Sequence, residues 1–320
     1  MVFGVVAAAL AIVAAIPGPA SAWGSRTHEI INRRAVDAMP EPARAAWQSL
    51  AVPLGMHASD ADARKGSDPN ERTRHYIDID FFEAHPFTGV PRSMEGMRKK
   101  YGAEDAVKWG VAPWAIEECY RMLVLSLERG DWSSAGAWAA DLGHYVGDTH
   151  QPLHVTVNYD GQKTGNKGIH LRFEIHMMDR HYQETAIEVL EAPTPGEDIL
   201  EFAFGWIAEA YPGMDTILEG DDAARAVDPD YGPEYLEALW GVTSDVAQTQ
   251  VSRAVRDLSA LYTAAWEASG SPQGPDPAPS FRALPVNVLD PPPDPAGRSG
   301  LRALLLAGAV LASSLLFVSF

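Results

Sequence analysis

Two short stretches fix most of what this chain can become: G-H-Y-V-G-D-T-H-Q-P-L-H over 143–154 and G-I-H-L-R-F-E over 168–174. They place His144, Asp148, His154, His170 and Glu174 within little more than thirty residues. In a helix, side chains four apart lie on one face, so His144 with Asp148 and His170 with Glu174 each form an i,i+4 pair. The pattern predicts two facing helices that enclose metal ions. Imidazole and carboxylate without thiolate suit Zn²⁺ in an open, water-bearing site better than a closed structural one, and Mn²⁺ or Fe²⁺ accept the same donors. A single histidine on an apolar helix face is ordinarily a hydrogen-bonded core residue, but here that explanation would have to be repeated through one short segment.

Apolar periodicity predicts helices and no run of alternating strands. The expected helices are Ser25 to Met39, Pro113 to Glu128, Trp132 to Gly147, His170 to Leu190, Glu197 to Tyr211 and Pro233 to Ala268. Trp138, Trp240 and Trp266 fall at core positions of this pattern, and Cys119, the only cysteine, reads as a buried structural thiol that leaves the fold without an internal disulfide. The reading is all-α, with one domain over 23–271, a size that one core can support.

The ends differ in composition. Val2 to Ala15 is apolar apart from Gly4, and Ala20-Ser21-Ala22 has the small-x-small form of a secretory cleavage site, so 1–22 is expected to be a leader. Cleavage there frees Trp23, followed by His28. Nine prolines lie between Pro272 and Pro295, so 272–300 is expected to be an extended linker. Leu301 to Phe320 is apolar except for Arg302 and the small residues, long enough for a membrane anchor or a cleaved sorting segment. The protein is expected to be exported and tethered through that end. A formal charge of −18 disfavours a broad grip on duplex nucleic acid. Local cationic metal can still attract one phosphodiester.

With these residues in view, the chain resembles the superfamily of zinc-dependent phospholipases C and single-strand-specific zinc nucleases. The likeness covers Trp23 to about Gly270, and the H-x3-D-x5-H spacing of His144, Asp148 and His154 is its most specific element. The resemblance implies a multi-helix domain enclosing three Zn²⁺ ions. One site would take an upstream aspartate, His75, His144 and Asp148; a second His154, His170 and Glu174; and a third the freed Trp23, His28 and the bridging Asp148. Both Asp60 and Asp62 are available as the upstream aspartate, and Asp60 is favoured because its longer separation from His75 is closer to the family pattern.

The implied reaction is phosphodiester hydrolysis by metal-activated hydroxide, with Asp148 holding the pair that binds the nucleophile and Asp60 acting as general base. The substrate markers are mixed. The short path from His154 to His170 and the use of Glu174 resemble the phospholipase branch, which implies a phospholipid substrate. Trp23 to His28, with Tyr76 and Asp78 where nucleases stack on a base and read its edge, resembles the single-stranded nucleic acid branch. A non-catalytic zinc-binding surface protein is the reading from another class. His150, in the turn beside the ligands, is expected either to support one of them or to be a structural histidine.

Overall fold

A computed structural model describes residues 23–188 and 190–284. The leader 1–22, the linker from 285 onward and the apolar 301–320 segment lie outside the described residues, among which every regular element is helical and no strand occurs. No described helix is long and apolar enough to cross a membrane.

Trp132–His150 is the axis of the fold, buried without interruption from Ala135 to His150. Its start is fixed by Asp131, whose carboxylate accepts from the Ser134 backbone N–H at 3.1 Å. Ala112–Glu128, Ser25–Asp37 and the 36-residue Pro233–Ala268 pack around it. Two glycines permit the closest approach. A Cβ on Gly143 would lie 2.2 Å from Asn32 Oδ1, and one on Gly147 would lie 3.0 Å from His28 Nδ1. The absent side chains let Ser25–Asp37 settle against the axis, which carries His28 to Asp148. The Tyr262 hydroxyl spans the same seam, 2.9 Å from the Ala139 carbonyl and 3.1 Å from Asn32 Oδ1.

The long periodic helices fall where the sequence places them, and Pro233–Ala268 has the same limits. The helix expected to run to Leu190 is shorter. It spans 169–181 and widens into a π-type turn over Arg172–Met177, then Tyr182 takes extended backbone (φ −69°, ψ 129°) and buries its ring. No proline or capping residue marks this stop. The sequence reading also omits Gly213–Val227, which starts at a Pro-Gly pair that otherwise signals a turn.

The proline-rich stretch begins as a docked strap. Trp266 Nε1 donates to the Pro272 carbonyl at 2.9 Å, Ser49 Oγ to that of Pro275 at 2.6 Å, and Ser133 Oγ to that of Ser280 at 2.6 Å. Phe281 occupies the space a Cβ on Gly136 would fill and packs its ring 4.9 Å from that of His57. Cys119 is fully buried, as expected for a structural thiol.

Candidate metal centre

The centre has two clusters joined through the axial helix. In the first, His144 and Asp148 stand one turn apart on Trp132–His150, and three other elements supply the rest. Asp148 Oδ2 lies 2.9 Å from His75 Nδ1 and 3.4 Å from His144 Nε2, while Asp148 Oδ1 faces His28 Nε2 at 3.2 Å. The carboxylate therefore serves two neighbouring positions, one oxygen each. Asp62 Oδ1 closes the cluster at 3.6 Å from His75 Nδ1 and 3.5 Å from His144 Nε2, and also holds Lys65 Nζ at 2.6 Å.

The second cluster comes from a single stretch of chain. His154 follows the axial helix in a short 3₁₀ turn, and His170 and Glu174 share the helix that carries the π-type turn. Glu174 Oε2 lies 2.9 Å from His170 Nε2 and 3.4 Å from His154 Nε2, with Gln151 Nε2 donating to it at 3.2 Å. Glu174 Oε1 is buried without a hydrogen bond. The clusters meet at His75, whose backbone carbonyl accepts from His154 Nδ1 at 2.8 Å.

The hydrogen bonds on the far side of each ring decide what these groups can hold. A carbonyl only accepts, so His144 Nδ1, 2.7 Å from the Ala58 carbonyl, carries a proton, as do His154 Nδ1 and His170 Nδ1, the latter 3.0 Å from the Tyr159 carbonyl. In the neutral ring the opposite nitrogen is then a lone pair. His154 Nε2 and His170 Nε2 face each other at 3.1 Å, and His144 Nε2 faces His75 Nδ1 at 3.0 Å. Ring nitrogens this close, with carboxylates around them, need a cation among them, a proton or a metal ion. Nitrogens on a tetrahedral Zn²⁺ with bonds of 2.0–2.1 Å are separated by roughly 3.3 Å, close to both spacings. The donor set fits zinc, and three groups, His28 with His144 and Asp148, Asp62 with His75 and His144, and His154 with His170 and Glu174, each converge within 4.8 Å.

Electrostatics match. Burial penalises charge on Asp148, yet the facing His144, His28 and His75 hold its carboxyl well below the ordinary range. Burial also raises and the same type of partners lower Asp62 and Glu174, with the net effect downward in both. Burial opposes a charge on His144, but Asp148 and Asp62 outweigh it and move the ring up to about 9. His28 goes the other way, lowered by burial and by His144 despite Asp148. Without metal the cluster thus holds protons that a bound cation would displace.

The structure brings together His28, His75, His144, Asp148, His154, His170 and Glu174. It corrects the upstream aspartate. Asp60 is 57% exposed at its side chain and accepts from His57 Nδ1 at 2.7 Å on the outer surface, whereas Asp62 is 13% exposed and faces the histidines. Both lie on the short Asp60–Arg64 helix, where residues two apart point to opposite sides, so only one can face inward. Asp60 is accordingly not placed to act as a base. Trp23 is fully buried with its ring 5.7 Å from Phe173, and the Gly24 N–H donates to the Glu174 carbonyl at 3.2 Å, which seats the start of the domain beside the second cluster's helix. Tyr76 is half-buried, its hydroxyl donating to the Lys108 carbonyl at 3.0 Å. Asp78 is buried, and burial with the neighbouring Asp80 moves its carboxyl up to about 7 against the pull of Lys163.

Sequence reasoning passed over the groups behind the ligands. Glu71, four residues before His75 in D-P-N-E-R-T-R-H, reads as surface charge but is fully buried. His150, for which the sequence left a supporting and a structural role open, is buried, with Nδ1 donating to the Val146 carbonyl at 2.8 Å, Nε2 3.0 Å from Asp257 and its ring stacked on Trp206.

Solved structures similar to this chain include the alpha toxin of Clostridium absonum (14% identity, TM-score 0.45) and the alpha-toxin of Clostridium perfringens from avian strain SWCP (14% identity, TM-score 0.46). Each match covers 79% of this chain and 66% of the toxin chain, just under two thirds of the toxin's length. No family model and no curated protein matches the sequence.

Proposed function

We propose that this chain is a zinc-dependent phosphodiester hydrolase of the phospholipase C type. The observation that carries the reading is the pair of facing imidazole nitrogens, His144 Nε2 with His75 Nδ1 at 3.0 Å and His154 Nε2 with His170 Nε2 at 3.1 Å, each with a carboxylate against it. His28, Asp62, His75, His144 and Asp148 would hold metal in the first cluster and His154, His170 and Glu174 in the second, with the freed Trp23 amine as the additional ligand beside His28. Zinc bound there supplies a water acidified toward neutrality and positive charge opposite phosphoryl oxygens.

The side chains orient the rest. Asp148 faces both sides of the first cluster, one oxygen each, and Asp62, with Lys65 and the two histidines on the same oxygen, is kept ionised as an acceptor there. His154, His170 and Asp62 retain slight exposure while His28, His144 and Asp148 have none, so substrate approaches along the edge that joins the two clusters. That side carries Tyr159, 49% exposed with its ring 6.0 Å from His170. Phe81, 42% exposed and stacked 4.1 Å from Trp109, lies three residues beyond Asp78. An apolar, aromatic border suits a phospholipid. Export through the leader and association with a membrane through 301–320 belong to the same reading.

A second reading, single-strand-specific nuclease, is favoured by Tyr76, which His75 brings to the edge of the clusters. The burial of Asp78 weighs against its reading a base edge. The deciding experiment uses protein beginning at Trp23. Zinc content is measured, then hydrolysis of bis-p-nitrophenyl phosphate, phosphatidylcholine and a single-stranded oligonucleotide in parallel. Zinc-dependent release of phosphocholine is expected. Hydrolysis of the oligonucleotide alone would select the nuclease reading, and bound zinc without turnover of any substrate would select a binding protein.

A further inference from the structure

His75 differs from the other ring ligands in one respect. His144, His154 and His170 are each fixed by a backbone carbonyl on Nδ1 and turn Nε2 toward the centre. His75 is reversed: its Nδ1 faces Asp148 and His144, and its Nε2 faces the Glu71 carboxylate Oε1 at 3.2 Å. Asp148 Oδ2, 2.9 Å from Nδ1, and Glu71 Oε1, 3.2 Å from Nε2, compete for the one proton of the neutral ring, and Glu71 is the group that draws it to Nε2 and frees Nδ1 toward the centre.

Glu71 is itself held from two further directions. The Tyr145 hydroxyl donates to Oε1, Arg64 Nε donates to Oε2 at 3.1 Å, and Arg64 also forks onto Asp141, with Nη1 3.2 Å from Asp141 Oδ1. Arg74 Nε donates to the same Tyr145 hydroxyl at 3.2 Å and Arg74 Nη1 to Glu118 at 2.7 Å. Tyr145 follows the ligand His144 on the axial helix, and Arg64 follows Asp62 by two residues, so two of the elements that bring ligands also bring a group that fixes Glu71. A buried network of this kind is costly if half satisfied and rigid if complete.

We propose that Glu71 is the positioning residue of the first cluster: it sets the His75 tautomer and ring orientation, and thereby the metal affinity of the Asp62, His75, His144 and Asp148 set alone. The inference rests on the reading of these residues as a metal centre, but its first consequence is visible without metal. Groups behind a histidine ligand typically contribute about 10–100-fold in affinity.

The test uses wild type, Glu71→Gln and Glu71→Ala in the protein beginning at Trp23. Long-range ¹⁵N–¹H correlation of the imidazoles in the metal-free protein reads the tautomer, and calorimetric titration with zinc reads each class of site. Wild type is expected to show His75 protonated on Nε2. Glu71→Ala is expected to move the His75 proton toward Nδ1, where Asp148 accepts it, and to weaken the first-cluster sites about 10–100-fold, with the His154, His170 and Glu174 site unchanged. Glu71→Gln keeps an acceptor oxygen and is expected to restore most of the tautomer and affinity, which a loss of packing would not do; it also carries the test if the alanine variant fails to fold. An unchanged His75 tautomer in both variants, or zinc affinities equal to wild type, overturns the proposal. Absence of zinc binding in wild type would instead overturn the metal-centre reading, with the tautomer measurement still deciding the role of Glu71 toward His75.

Discussion

The two clusters reach similar geometry by opposite routes. The second draws His154, His170 and Glu174 from twenty-one consecutive residues, leans on backbone carbonyls and keeps slight access to solvent. The first gathers His28, Asp62, His75, His144 and Asp148 from four separate elements and is backed by the Glu71, Arg64, Asp141 and Tyr145 network. A cluster built from one stretch needs only a local turn to form. A cluster built from four requires the whole fold, so its affinity for metal is tied to helix packing far more tightly.

The largest expected contrast comes from the shared carboxylate. Asp148→Asn should remove metal from both positions it serves and lower phosphodiesterase activity roughly a thousand-fold, because metal stabilisation of the transition state is worth several kcal/mol at 1.36 kcal/mol per tenfold. Glu174→Gln should remove one ion and leave the first cluster loaded. Elemental analysis of the two variants checks this, and equal metal loss would break the distinction between a bridged and an isolated site.

Next in size is the pair of aspartates. Asp62→Ala should abolish most activity, whereas Asp60→Ala, on the surface, should stay within about twofold, since exposed substitutions rarely exceed 0.5 kcal/mol. Steady-state rates on bis-p-nitrophenyl phosphate separate them. The reverse order would place the inward face of the Asp60–Arg64 helix wrongly.

That helix also shows why the centre was only partly legible in the sequence. His144, Asp148, His170 and Glu174 announce themselves through i,i+4 spacing on long helices whose apolar periodicity is strong. Asp60 and Asp62 differ by the rotational phase of a five-residue helix, which no periodicity can set. Glu71 carries no local signal, because its burial depends on Arg64 and Tyr145 arriving from elsewhere. The same division holds for the fold: Pro233–Ala268 was evident from its own residues, while the stop at His181 and the docking of Phe281 against Gly136 depend on distant partners.

A smaller effect probes the dependence of the first cluster on packing. Gly→Ala at an exposed helix position gains up to about 1 kcal/mol of propensity. At Gly143 the new methyl would lie 2.2 Å from Asn32 Oδ1, and overpacking of this kind costs about 1–3 kcal/mol. Gly143→Ala should therefore lower the melting temperature and weaken zinc at the His28 side while the second cluster binds normally. Parallel loss at both clusters would contradict the proposed independence.

The smallest effect is the pH response of the metal-free protein. His144 is held up at about 9 against an ordinary 6.5, so the stability it contributes is present below about 6.5 and is lost as pH rises toward 9. The depressed carboxyls of Asp148 and Glu174 act on the opposite limb, their contribution being lost as pH falls below the ordinary carboxylate range. Thermal unfolding of metal-free protein should show the alkaline decline, and zinc-loaded protein, in which His144 is already deprotonated, should not.

The central claim, that the facing imidazoles are metal ligands, is tested most directly by anomalous diffraction at the zinc edge from crystals of protein beginning at Trp23 and grown with zinc. The account predicts one peak between His154, His170 and Glu174 and two flanking Asp148, one toward His75 and His144 and one toward His28. A map without peaks, with the ring nitrogens still about 3 Å apart and joined by shared protons, would contradict it.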